Sequence, residues 1–348
     1  PKEKVVYWVD IEGQTIFRFD PRSGDQQVFP QAYQFGCIVK RADGGFIAGT
    51  NAGLVHLDAD LKSPDIFATP EAGFPNNRFN DGKCDRRGRF WVGSTDMDET
   101  DPNGALYRVN GTGGVARMLP DVIVANGLGW SPDDRTMYFT DSGHGVIYAF
   151  DFDVETGDID NRREFVRVDP ADGMPDGLAV DAQGFVWGAH WGGWRITRYD
   201  PEGRIDRVIE MPVPQVTSLA FGGDNLDQMY VTTARLLLTD DQLREAPLSG
   251  GLFLIGKSVH EVHDVIDGEQ IDHDTSKPVS FASVMIQVAL LDIVFSLDSV
   301  ITAVGMAKDI EVMVAAIIIA VGVMLFCADA ISGFIEEHPT VKMLALSF

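Results

Sequence analysis

Three short segments place an amide or a carboxylate directly before glycine: Asn80-Asp81-Gly82, Asn126-Gly127 and Asp176-Gly177. Such oxygen donors suit a hard divalent cation such as Ca²⁺, Mg²⁺ or Mn²⁺, provided that the fold brings them together. Asn and Asp before Gly also start turns, and each segment taken alone is more simply turn chemistry. The site reading gains weight only if the three fall at the same point of a repeated unit.

A repeat is present. A short apolar strand closed by a small or acidic residue recurs as Val6-Tyr7-Trp8-Val9-Asp10, Gly45-Phe46-Ile47-Ala48-Gly49 and Arg89-Phe90-Trp91-Val92-Gly93. It returns as Thr136-Met137-Tyr138-Phe139-Thr140, Gly184-Phe185-Val186-Trp187-Gly188 and Gln228-Met229-Tyr230-Val231-Thr232. The spacing is about 39 to 49 residues, the length of one four-stranded propeller blade. Most copies lead into a second alternating strand and an Asp/Pro/Gly turn, as in Arg195-Ile196-Thr197-Arg198-Tyr199-Asp200 before Pro201-Glu202-Gly203. Alternation of this kind marks strands, and no helical period interrupts it. Six copies at blade length argue for an all-β six-bladed propeller over a β-sandwich across residues 1–255.

Later copies carry an apolar strand ahead of the motif, such as Gly127-Leu128-Gly129-Trp130 or Gly177-Leu178-Ala179-Val180. The first copy has no room for one, so the first blade is expected to be incomplete and the ring to lack a closing strand. A propeller turns the starts of its inner strands toward the central channel, where residues far apart in sequence converge. Asn80, Asn126 and Asp176 fall at those starts. The corresponding positions elsewhere read Thr217-Ser218 and Phe35-Gly36-Cys37.

The net charge of −24 argues against nucleic acid as a partner. Cys37, Cys84 and Cys327 give neither a disulfide framework nor a zinc spacing. A reducing, cytoplasmic setting is expected for the propeller. No Gly-x-Ser-x-Gly elbow supports a nucleophilic hydrolase. His144, His190 and Trp194 read as channel-rim or packing residues.

The front part resembles the regucalcin/gluconolactonase (SMP-30-like) family of six-bladed propellers. The likeness rests on Arg78-Phe79-Asn80-Asp81-Gly82-Lys83, Asn126-Gly127-Leu128-Gly129-Trp130-Ser131-Pro132-Asp133 and Tyr138-Phe139-Thr140-Asp141-Ser142. Pro175-Asp176-Gly177-Leu178-Ala179-Val180-Asp181 and Met229-Tyr230-Val231-Thr232-Thr233-Ala234-Arg235 extend it. The resemblance implies one divalent cation (Ca²⁺, Mg²⁺, Mn²⁺ or Zn²⁺) held by Asn126 and Asp176, with Arg78, Asn80 and Asp98 on the substrate side. It implies metal-dependent hydrolysis of a small sugar lactone, with Asp176 as both ligand and general base. The family's glutamate ligand, expected on the first inner strand, has no counterpart in the sequence, so impaired activity is the expectation. Cation binding without turnover is the competing function.

Beyond residue 255 the pattern changes. Residues 256–278 form an acidic linker, in which His260-Glu261-Val262-His263-Asp264 reads as a solvated helix face. Val279–Val304 and Val312–Ala330 are apolar runs long enough to span a bilayer, predicting a membrane-inserted helical hairpin with lipid around residues 279–330. Asp292 and Asp298 lie inside the first run, where carboxylates mark a cation path or a buried partner. Gln287-Val288-Ala289-Leu290-Leu291-Asp292-Ile293-Val294-Phe295-Ser296-Leu297-Asp298-Ser299-Val300 resembles the TerC integral membrane proteins, associated with metal-ion export. The match runs from about residue 250 to 348. Residues 279–348 therefore read as a non-functional piece of an exporter, and the chain as a join of two proteins near Gly250–Ile255. A membrane-tethered fusion is the alternative.

Overall fold

The structure, a computed structural model, describes residues 3–255. The expected linker and membrane hairpin, with Asp292 and Asp298, lie outside the described residues. Among the described residues no helix is long and apolar enough to cross a membrane.

Six antiparallel sheets follow one another along the chain. The first holds β1 (Val6–Asp10), β2 (Thr15–Asp20) and β3 (Asp25–Pro30). The second holds β4 (Phe35–Lys40), β5 (Phe46–Thr50), β6 (Gly53–Leu57) and β7 (Asp65–Ala68). The third runs through β8 (Asn77–Cys84), β9 (Phe90–Asp96), β10 (Gly104–Val109) and β11 (Val115–Val122). The fourth comprises β12 (Ala125–Trp130), β13 (Thr136–Asp141), β14 (Val146–Phe152) and β15 (Ile159–Arg167). The fifth comprises β16 (Met174–Val180), β17 (Val186–Trp191), β18 (Arg195–Tyr199) and β19 (Ile205–Glu210). The sixth contains β20 (Val216–Gly222), β21 (Gln228–Thr233) and β22 (Leu252–Ile255), with the short helix α1 (Asp240–Glu245) in the β21–β22 connection. The first and sixth sheets have three strands each among the described residues. An ion pair between Lys4 and Asp224 links these two sheets.

Turn chemistry sets the hairpins. Asp85 Oδ1 accepts from the backbone N–H of Arg87 at 2.9 Å and of Arg89 at 3.0 Å, and Asp181 Oδ1 repeats this with Gln183 and Phe185. Gly88 and Gly184 supply the left-handed residue that this turn requires (φ +79° and +89°). The second carboxylate oxygen of each Asp takes an indole N–H, from Trp91 at 3.0 Å and Trp187 at 2.9 Å. One side chain thus both closes the hairpin and anchors the next strand.

The core has no single centre. It is divided into five clusters, each between two successive sheets: Ile16 and Phe35, Phe79 and Leu54, Trp91 and Leu128, Tyr138 and Leu178, and Trp187 and Leu219 mark them in turn. Full burial of each such side chain contributes about 1.5–3 kcal/mol, so the ring is held by wedges of similar strength. Polar clamps add to the third wedge: Arg89 donates to the carbonyls of Val154 (2.7 Å) and Glu155 (3.1 Å), and its Nε pairs with Asp85 at 2.6 Å.

The inner strands β4, β8, β12, β16 and β20 meet around an axial channel, and each carries a register shift at the same level. The shifts fall between Phe35 and Cys37, Phe79 and Gly82, Ala125 and Leu128, Pro175 and Leu178, and Val216 and Ser218. A bulge leaves residues unpaired and re-aims their side chains. Neighbouring strands come so close there that a Cβ on Gly36 would lie 2.2 Å from the Phe79 carbonyl oxygen, and one on Gly127 2.3 Å from the Leu178 nitrogen. Gly36→Ala should therefore lower stability by about 1–3 kcal/mol or more, because it must push backbone and not a flexible side chain. Gly111→Ala, where a Cβ meets nothing within 4 Å, should be near neutral. Urea unfolding of both variants followed by far-UV circular dichroism checks the contrast, and equal midpoints would overturn it.

Candidate functional site

The residues singled out by the repeat sit on those bulges. Asn80 and Asp81 lie in the gap of β8, Asn126 in that of β12, and Asp176 in that of β16. An unbroken chain of hydrogen bonds joins Asn80 to Asn126 and reaches the residue before Asp176. Arg78 Nη1 donates to Asn80 Oδ1, and Asn80 Nδ2 donates to Asn126 Oδ1 (2.9 Å) and to the Ala125 carbonyl (2.7 Å). Asn126 Nδ2 donates to Ser142 Oγ at 2.8 Å, and Ser142 Oγ donates to the carbonyl of Pro175, the residue before Asp176, at 2.5 Å. Three blades are tied in this way. Both Asn amides have fixed orientations, and Asn126 Oδ1 keeps a lone pair for a further partner.

Asp141 stabilises the entry to β12 from behind. Its buried carboxylate accepts the backbone N–H groups of Val124 (3.1 Å) and Ile123 (3.3 Å) and lies 2.8 Å from His144 Nδ1. In the third sheet, buried Glu71 accepts from Asn77 Nδ2 (2.7 Å), Ser94 Oγ (2.6 Å) and the Tyr107 hydroxyl (2.6 Å). That carboxylate fixes the connection from which Arg78 and Asn80 emerge.

The electrostatics are lopsided toward negative charge. Burial pushes the Asp176 carboxyl well above the usual range, and the carboxylates of Asp81 and Glu99 push it further; the Gly177 N–H and Arg78 pull the other way. Burial likewise raises Asp81, against the pull of Lys83 and the Gly82 N–H. The Arg78 guanidinium is held below its usual basicity by burial, with Glu99, Glu12 and Asp176 countering in that order. Buried carboxylates that repel one another are relieved by a cation. The donor set, one carboxylate from Asp176 and one amide oxygen from Asn126, is of the hard-oxygen kind that Ca²⁺, Mg²⁺ or Mn²⁺ accepts, the remaining positions falling to water or substrate. Among the described residues no group of three His, Cys, Asp or Glu side chains is arranged to hold a metal.

Asp98 stands apart from this cluster. It is exposed and its Oδ2 accepts from Asn76 Nδ2 at 2.9 Å. The charge that reaches Arg78 and Asp176 belongs to its neighbour Glu99. Residue types in that loop do not separate the two acids, and both are exposed. Ser142 and Lys83 lie inside the motif segments, yet residue order does not mark either as a site residue. Thr217 Oγ1 pairs with Thr232 Oγ1 at 2.8 Å.

His190 is a packing residue. It is 2% exposed, with Nδ1 2.9 Å from the Asp172 carbonyl and Nε2 3.1 Å from the Tyr199 hydroxyl. The neutral ring, donating from Nδ1 and accepting at Nε2, satisfies both contacts. His144 and Trp194 are exposed.

Fold and site together define a class first: a six-bladed propeller whose inner-strand bulges gather an Arg/Asn/Asn/Asp constellation at one mouth of the axial channel. Residues 1–235 match the SMP-30/Gluconolactonase/LRE-like region. The chain is 36% identical over 254 residues to 6-deoxy-6-sulfogluconolactonase of Pseudomonas putida, covering 72% of this chain and 87% of that protein. It is 34% identical over 261 residues to regucalcin of Xenopus laevis, covering 73% and 87%. The crystal structure of a calcium-binding protein, regucalcin, from Agrobacterium tumefaciens superposes with a TM-score of 0.70 at 28% identity, covering 74% of this chain and 87% of that one. The chain belongs to the SMP-30/gluconolactonase/LRE-like family. Residues 231–348 match the integral membrane protein TerC family. Strand β22 lies inside that second match, yet it pairs with β21 in the sixth sheet.

Burial lowers the pKa of His190, so the folded state disfavours its protonation. The stability it contributes is present above the unfolded-state value of about 6.5 and is lost as pH falls through the lower folded value. Melting temperature should drop on going from pH 7 to pH 5, and more steeply in the native chain than in His190→Gln. Parallel slopes in thermal melts of the two proteins would refute this assignment.

Proposed function

We propose that the propeller hydrolyses a small sugar lactone with the help of one divalent cation held by Asn126 and Asp176. The observation that carries this reading is the continuous Arg78–Asn80–Asn126–Ser142–Pro175 chain, which fixes donors beside the Asp176 carboxylate. The names of the relatives support the reaction class: one is a sulfogluconolactonase, another a putative sugar lactone lactonase of Bacillus subtilis. The regucalcin structure is described as a calcium-binding protein, which supports a divalent cation in general terms.

A bound cation would polarise the lactone carbonyl and make a coordinated water more acidic. Asp176, whose proton affinity is raised by burial and by Asp81 and Glu99, takes the proton of the attacking water as general base. Arg78, half-buried and with its remaining N–H groups turned to the mouth in this reading, holds the oxygen on which negative charge develops. Asn80 spends both amide N–H groups on Ala125 and Asn126, so it acts by positioning Arg78 and Asn126. Glu99, on the same side, accepts from hydroxyls of the substrate, the part that the sequence gives to Asp98. No part of this chemistry falls to residues 256–348, which we read as a piece of an exporter without transport of its own. We place the propeller in the cytoplasm because the described cysteines, Cys37 and Cys84, are both free thiols.

Acid release from a glucono-lactone by the full chain, followed with a pH indicator in the presence of Mn²⁺ or Ca²⁺, tests the reading. Asp176→Asn should cost about 10²–10⁴ in kcat, and Arg78→Ala should act mainly on kcat/KM. A chelator should remove the activity. Turnover untouched by both the chelator and Asp176→Asn would sink the proposal, and tight Mn²⁺ or Ca²⁺ binding with no turnover would instead favour a cation-binding propeller.

A further inference from the structure

The two ends of the channel differ in chemistry. Asn80, Asn126 and Asp176 stand where the inner strands begin. Lys83, Gly129 and Ala179 each lie three residues further along the same strands, about 10 Å away. There the closing residues of β8, β12, β16 and β20 line a cavity of about 300 Å³. Trp130, Val180, Ala220 and Phe221 give it apolar walls, and Lys83, Asp85 and Arg86 add charge. Its volume is at the small end of the range for small-molecule sites.

The three charges are unequally met. Asp85 is fully engaged, by the Arg89 guanidinium, the Trp91 indole N–H and two backbone N–H groups. Arg86, at the solvent edge, spends Nη1 on the Pro132 carbonyl (2.7 Å) and on Asp134 (3.0 Å), and leaves Nη2 and Nε without a partner among the described residues. Lys83 is half-buried and sends Nζ only to the carbonyl oxygen of Leu178, at 3.0 Å. No carboxylate of the described residues lies within ion-pair distance of it. An ammonium carries three N–H donors, so two remain for a further acceptor. Burial works against the charge on this amine, a cost that an anion beside it would offset.

An ammonium with spare donors, a guanidinium at the rim and apolar walls between them complement a small organic acid. A bare inorganic oxyanion would leave the apolar walls unused, and a polyhydroxylated acid would lose water from its hydroxyls against them. We propose that this end of the channel is a second binding site, for a small monocarboxylate with an apolar body. The carboxylate sits on Lys83 and Arg86, and the hydrocarbon part lies against Trp130, Val180 and Phe221. The inference stands apart from the cation position proposed above and needs no lactone turnover.

Calorimetric titration of the full chain with benzoate tests it. Lys83→Met keeps the apolar stem and removes the charge, and should weaken benzoate binding about tenfold or more. Lys83→Arg should bind as the native chain does. Ala220→Trp fills the cavity from an exposed position and should abolish binding with Lys83 intact; this variant decides the matter if Lys83→Met folds poorly. Arg78→Ala, altered at the other end of the channel, should keep the native affinity for benzoate. No saturable binding to the native chain, or binding unchanged by Ala220→Trp, would overturn the site. Binding lost in Arg78→Ala and kept in Lys83→Met would also overturn it, by placing the carboxylate at the lactone site. Gluconate or inorganic phosphate binding as tightly as benzoate would overturn the ligand class.

Discussion

Where successive inner strands converge on the axis, backbone meets backbone with no room for a side chain. Gly36 faces the carbonyl of Phe79, Gly127 faces the peptide between Gly177 and Leu178, and Gly177 faces Ser218. That approach forces a bulge into each strand at the same level, and the bulge turns Asn80, Asn126 and Asp176 out of their ladders and toward one another. Wedge packing between sheets holds the ring at that radius. A slightly wider ring would relieve the glycine contacts and break the 2.9 Å bond between Asn80 and Asn126. Stability and site geometry are therefore set by the same few contacts.

Charge follows from that geometry. Strands that bring polar residues together also bring Asp81 and Asp176 into poorly solvated surroundings, where Lys83 acts on the first and Arg78 on the second. Burial opposes the negative form of both acids, and Asp81 adds to the effect at Asp176. The arrangement stores an unmet demand for positive charge at the channel mouth, while supporting carboxylates such as Glu71, Asp85 and Asp141 are met in full by donors of their own blades. The contrast separates acids that hold the fold from acids that face a ligand.

Much of this was legible from residue order. Repeat length and period-2 alternation gave six sheets, because each blade must place apolar residues on both faces of a short strand between Gly- and Asp-rich turns. Asn126 and Asp176 could be picked out because each precedes a glycine at the same point of its repeat. Glu99 could not: it shares its loop with Asp98, and only the folded loop sets which of the two charges acts on Arg78. Ser142 sits within a recognisable segment, yet its part depends on Pro175, in the next blade.

Residue order alone determined the repeated strand, the turns that close it and the acids and amides placed at each strand's start, since these depend on neighbours a few positions away. The tertiary structure decided which of those groups share a space and what that does to their charge. Arg78, Asn126 and Asp176 lie on three different blades, and Lys83 crosses from one blade to Leu178 on another. Proton affinity and ion preference arise from burial and from the distances between such groups, and neither quantity exists until the blades have packed around them.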